Sequence, residues 1–202
     1  MKTTLDDCVA RLGRALEAFP FADKDVYADW CAQTYFYVRH STRLLAASAS
    51  RFAMDELGDA LHLRFAAHMG EEKRHERLAL HDLGAMRGTL ERFPERPATR
   101  AFWEPQYYKV EHEDPIVLFG YILALEAMSA KHGPAAFARV VEAHGAGAAT
   151  FLKVHAQDDE DHLAKALAVL ERIDDGRRAL IERNIVQSTF SYLTLLVDLR
   201  RR

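Results

Sequence analysis

The chain has 202 residues, of which 49% are apolar and 28% charged, a globular composition long enough to bury one large core. Its formal net charge of −3 offers no cationic surface for nucleic acid or for an anionic membrane. Only Cys8 and Cys31 are present, with no Cys-x-x-Cys pair, which speaks against a disulfide framework or a thiolate zinc site.

The start, Met1 to Cys8, carries acids and lacks a signal-type apolar stretch, and no run approaches the ~20 apolar residues of a membrane span. The expectation is a soluble, cytoplasmic, single domain over residues 1–202. Helical periodicity dominates and strand-type alternation is not sustained anywhere. The predicted helices cover 3–18, 24–51, 55–84, 97–109, 115–131, 134–144, 148–173 and 175–200. Pro20 and an Asp23 cap divide the first two, and a loop from Arg87 to Pro97 with Pro94 inside it follows the third. Asp114-Pro115 is a helix start, with Asp as N-cap and Pro in the first turn. Gly133-Pro134, Gly145-Ala-Gly147 and Asp174-Asp175-Gly176 punctuate the rest. The fold class is therefore all-α, a bundle of antiparallel neighbours.

Three of these helices carry candidate ligands. In the 148–173 helix, His155, Asp159 and His162 stand at offsets of 0, 4 and 7, which at about 100° per residue lie within roughly 60° of one another. Imidazole and carboxylate on one helix face suit iron, manganese or zinc; the competing reading is a solvated polar stripe, because Asp158, Glu160 and Asp161 crowd the same turn. The 55–84 helix holds Glu72 and His75 at Glu-x-x-His spacing, with His68 on the same face and Glu71 beside it as substitutes if the register shifts. The 115–131 helix is apolar on every side from Ile116 to Leu125, and Glu126 follows. Such a helix is buried, so its carboxylate must be paired, protonated or bound to a cation; Lys131 is the bland partner. Gly120 in the same helix permits close approach of a neighbour or ligand. Together the three helices offer three carboxylates and three imidazoles, about what two divalent metals with open positions require.

This arrangement resembles the haem-oxygenase-like di-iron oxidases and oxygenases. In that superfamily a Glu and a nearby His on one helix and a Glu on a later helix precede a His-x-x-x-Asp-x-x-His element. That element is present as His155, Asp159 and His162, Glu126 sits at a fitting distance before it, and Glu72 with His75 matches the Glu-x-x-His variant. Where other members have Glu-x6-His, position 68 holds His. The likeness covers about residues 23–200, including Tyr35 to His40 on an early helix. It implies a haem-oxygenase-like bundle of seven to eight helices and non-haem iron, as two Fe(II) per chain with O2 as co-substrate. Glu72, His75 and His155 are expected on one metal and Glu126, Asp159 and His162 on the other, with either Glu able to bridge.

The function implied is O2-dependent oxidation of a small carboxylic or amino acid, with the apolar 115–128 stretch, Tyr35 and Tyr37 lining the cavity and Arg39 or Arg183 holding the carboxylate. The alternatives are a metal-free cofactor-biosynthesis enzyme of the same fold, similar to pyrroloquinoline quinone synthase, and a non-catalytic iron-binding protein. Ferritin-like proteins are disfavoured because the stretch around Tyr37 to Thr42 lacks their early acid, and thiaminase-like relatives because both cysteines fall too early. A homodimer through the apolar Phe190–Val197 stretch is a further expectation.

Overall fold

The computed structural model describes residues 1–201, with side chains at all of these except 157–162, 164 and 169. Nine α-helices form the described chain: α1 (Lys2–Glu17), α2 (Lys24–Val38), α3 (Ser41–Ala49), α4 (Glu56–Glu71), α5 (Glu76–Ala85), α6 (Pro97–His112), α7 (Leu118–His144), α8 (Thr150–Leu170) and α9 (Asp175–Arg200). Short 3₁₀ turns at Pro115–Val117 and Ala146–Ala148 lead into α7 and α8. No described helix is long and apolar enough to cross a membrane.

Aspartates start four of these segments. Asp23 accepts from the amides of Asp25 and Val26, Asp55 from Gly58, Asp114 from Ile116, and Asp174 from Arg177, at 2.7–3.0 Å. Each such cap satisfies an amide that the helix itself leaves without a partner and contributes about 1 kcal/mol. Asp174 thus opens α9 rather than closing α8.

Three of the predicted boundaries differ, which is why nine helices replace seven to eight. The 24–51 segment breaks at Arg39 and His40, where the His40 ring stacks on Trp103 at 3.7 Å and so pins the bend. The 55–84 segment breaks between Glu71 and Glu76, with Arg74 in the left-handed region at φ 72°. That conformation costs a residue with a Cβ about 1–2 kcal/mol, so tertiary packing rather than local propensity imposes the break. Conversely, α7 runs unbroken through Gly133-Pro134. Pro134 forfeits one main-chain hydrogen bond, and packing of α7 against α1, α8 and α9 holds the two halves in line.

α7 is the axis of the bundle. Every residue from Ile116 to Ala124 is buried, as expected for a helix without a polar face. Gly120 is where α9 comes closest: a Cβ there would lie 2.5 Å from the Ile181 carbonyl oxygen and 2.8 Å from the Ile185 nitrogen. On α9 itself the apolar residues divide, with Tyr192, Leu195 and Leu196 in the core and Phe190 and Val197 exposed.

Gly120→Ala must push α7 and α9 apart and is expected to destabilise the protein by about 1–3 kcal/mol in chemical denaturation. Gly84→Ala, on α5 where an added Cβ meets nothing within 4 Å, should be neutral or stabilising by up to about 1 kcal/mol.

Candidate metal centre

Four helices deliver a chain of acids and imidazoles to the apolar interior. His68 lies in the last turn of α4, Glu72 caps that helix, and His75 opens α5 across the Arg74 turn. Glu126 comes from α7 and His155 from the second turn of α8. His68 Nε2 lies 3.0 Å from Glu126 Oε1 and 3.7 Å from Glu72 Oε1. Glu72 turns its other oxygen to His75 Nδ1 at 3.6 Å, and the His75 and His155 rings are 4.8 Å apart. The sequence thus brings Glu72, His75, Glu126 and His155 together, and it adds His68 between the two carboxylates. Asp159 and His162 lie outside the described side chains.

Burial sets the electrostatics. His68 and Glu126 are 4% and 6% exposed, and an isolated charge at such depth is prohibitively costly. Burial by itself lowers the His68 pKa, but hydrogen bonds to Glu126 and Glu72 outweigh it and hold the imidazole at about 9. Burial raises the Glu72 carboxyl; His68, His75 and His155 overcome this and keep it well below the usual carboxylate range. Tyr121, pushed up by burial and then by Glu72, keeps its phenolic proton. Glu71 faces elsewhere, paired with Arg64 at 3.0 Å and Lys165 at 3.3 Å.

Glu72, His75 and His155 each present a ligand atom such that all lie within 4.8 Å of one another. His155 Nδ1 lies 2.9 Å from the Phe151 carbonyl oxygen. A carbonyl only accepts, so Nδ1 carries the proton and Nε2 keeps its lone pair, the orientation that metal-binding imidazoles adopt. One carboxylate and two imidazoles form a donor set that fits iron.

The cluster forms the polar end of a cavity of about 100 Å³, whose walls include Trp30, Tyr37, Leu44, Ile122, Phe151 and Tyr192. Tyr37 and the 115–128 stretch line it as expected, but Tyr35 does not. Neither arginine expected to hold a carboxylate reaches it: Arg183 is ion-paired with Glu113, and Arg39 lies over the Tyr35 and Phe36 rings. Among the described residues the lining contains no Lys or Arg.

Residues 28–190 match the family described as iron-containing redox enzymes. The chain belongs to that family. Among solved structures it is similar to a domain of unknown function with a haem-oxygenase-like fold from Shewanella denitrificans OS217. The TM-score is 0.86 at 19% identity, covering 100% of this chain and 92% of that one. It is also similar to a TenA homologue from Pseudomonas syringae pv. tomato DC3000, with a TM-score of 0.82 at 15% identity and the same coverages. These likenesses establish the haem-oxygenase-like fold that the sequence resemblance implied. No curated protein matches the chain.

In this family member, the helix carrying His155 is fastened to the helix carrying His75 by one residue that sequence reasoning missed. Asp82, on α5 and fully buried, accepts from the Thr150 and Phe151 amides at 2.9 Å each and from the Thr150 hydroxyl at 2.6 Å. It therefore caps α8 from a neighbouring helix, one turn before His155. The usable signal was its place on the buried face of α5 between Ala79 and Leu83.

Asp82→Asn retains the shape but replaces a charged acceptor. It is expected to cost about 1–3 kcal/mol of stability and to weaken ferrous binding about tenfold by loosening the His75–His155 spacing, measured by denaturation and by anaerobic titration.

Proposed function

We propose that the chain is an O2-activating non-haem iron oxidase or oxygenase, holding two Fe(II) ions when fully loaded and acting on a small organic molecule in the apolar cavity. The observation that carries this reading is the convergence of Glu72, His75 and His155 from separate helices, with all three ligand atoms within 4.8 Å, in a chain of the iron-containing redox enzyme family. Those three residues would hold one iron. Glu126, with Asp159 and His162, would hold the second, and Glu72 or Glu126 could bridge. Bound iron supplies the electrons for reducing O2 and the oxidising power for attacking a C–H bond.

The chain's own residues do the remaining work. Glu72 and Glu126 bring negative charge that offsets the metal charge in a site with little water. The Phe151 carbonyl holds the His155 proton at Nδ1 and so fixes the ring. His68 holds a proton at Nε2 facing Glu126 and Glu72, which restrains both carboxylates. The Trp30, Ile122, Phe151 and Tyr192 walls exclude water from the polar end.

A cavity of this size suits a small, largely apolar substrate. A carboxylic or amino acid remains the leading class. With no Lys or Arg in the described lining, its carboxylate would lie at the cluster of imidazoles and metal, and its carbon skeleton against the aromatic wall. A cysteine-based reaction of the kind weighed for thiaminase-like relatives is disfavoured. Cys31 is wholly buried outside the cavity lining, and burial pushes its thiol pKa well up.

Anaerobic titration with ferrous iron should reach about two ions per chain, and O2 should then produce a transient absorption band. Glu72→Ala and His155→Ala should each weaken one ion by more than about 100-fold, beyond what the loss of a residue that only orients a ligand costs; Asp159→Ala and His162→Ala should do so for the other. Absence of stoichiometric binding, or binding unchanged in these variants, contradicts the proposal.

A further inference from the structure

A second cleft, of about 600 Å³, lies where the α2–α3 bend meets α5 and shares no lining residue with the metal-centre cavity. Its volume is within the range of small-molecule sites. Three arginines line it: Arg39 at the end of α2, Arg43 on α3 and Arg77 on α5. Several other arginines meet a carboxylate, as in Arg92–Asp25, Arg96–Asp29, Arg100–Glu104 and Arg183–Glu113. Among the described residues Arg39, Arg43 and Arg77 form no ion pair, and Glu76 is the one acid in the lining.

Two of these guanidinium groups are held in place without being neutralised. Arg39 lies over the Tyr35 and Phe36 rings, 5.7 and 5.5 Å from their centroids, and its Nε donates to His40 Nε2 at 3.5 Å. Arg43 is anchored through Nη1 to the Arg39 carbonyl oxygen. His40 in turn stacks on Trp103 at 3.7 Å and directs Nδ1 to the Tyr107 hydroxyl at 3.0 Å. With Nε2 accepting from Arg39, His40 is neutral and Nδ1 is the donor. Burial, followed by the Arg39 and Arg43 charges, lowers its pKa to about 4, against a small opposing effect of Glu104. The packing thus spends a histidine on orienting an arginine that has no anionic partner among the described residues.

We propose that this cleft binds a small multivalent oxyanion, presented either by a phosphate ester or by a polycarboxylate. Fixed guanidinium forks match such anions by paired, charge-assisted hydrogen bonds. Two uncompensated positive charges in a concave, partly apolar wall concentrate their field on the cleft. Arg77 is two residues from His75 at the start of α5, and the cleft uses none of the candidate metal ligands. The binding chemistry itself requires no iron.

Calorimetric titration of the full-length protein at low ionic strength, with inorganic pyrophosphate in one arm and citrate in the other, tests this. Saturable one-to-one binding is expected in at least one arm, and the tighter arm identifies the source of the charge. Arg39→Gln combined with Arg43→Gln should weaken it at least tenfold, and Arg77→Gln, at an exposed position, should weaken it without affecting the fold. Arg183→Gln should leave it unchanged. An anion between Arg39 and Arg43 must also raise the His40 pKa from about 4, read from its imidazole proton resonances. Ferrous binding should persist in the arginine variants, so failure here and failure of the iron reading are separable. No saturable binding in the millimolar range in either arm, or equal binding by the Arg39, Arg43 and Arg77 variants, overturns the proposal.

Discussion

Two carboxylates that face the apolar interior of the bundle, Glu126 buried and Glu72 half-buried, set the terms for the rest of this structure. Glu126 follows a stretch of α7 that is buried on every side, and Glu72 faces the same interior. Removing one partner from such a buried charged group costs about 3–5 kcal/mol, so positive charge must stay within reach of both. His68 supplies it, 3.0 Å from one carboxylate and 3.7 Å from the other, with its pKa held at about 9 despite burial. His75 and His155 extend the same polar chain toward α8. A polar cluster of this kind in an apolar wall contributes little to stability over a hydrophobic alternative. What it provides is a fixed group of ligand atoms, which is what a metal needs.

The helices are arranged around this constraint. α4 ends at Glu71 so that Glu72 can turn inward, and the strained Arg74 lets His75 begin a new helix facing the same point. Strain at a single non-glycine residue persists only where its surroundings over-determine it, and such residues concentrate at functional sites. Asp82 then ties α5 to the start of α8, and Gly120 brings α9 against the back of α7. Neither of these residues belongs to the cluster. Both control where its members sit.

Much of this was legible in the sequence, for identifiable reasons. His155 was legible from its helix-face spacing to Asp159 and His162, whose side chains lie outside those described, and Glu126 stands out because an acid after a wholly apolar stretch demands a partner. Glu72 and His75 were legible by spacing, but the break between them was not. The φ of Arg74 is imposed by tertiary contacts, and nothing in Glu-Glu-Lys-Arg-His resembles a turn. His68 could be placed on the correct face only as a substitute ligand, since its pairing with Glu126 crosses two helices. Tyr35 and Arg39 are expected at the cavity, as an aromatic partner of Tyr37 and as a carboxylate holder. Being two residues either side of Tyr37, they turn instead to the other cleft. Pro134 reads as a helix break, and only the packing of α7 shows why it is not one.

The central claim is that Glu72, His75 and His155 form a metal centre. Anomalous diffraction at the iron edge, from crystals grown anaerobically with ferrous iron, tests it most directly. The account predicts an anomalous peak within bonding distance of all three side chains. A peak elsewhere, or none while ferrous iron is in excess and His68 and Glu72 keep their present contacts, would contradict it.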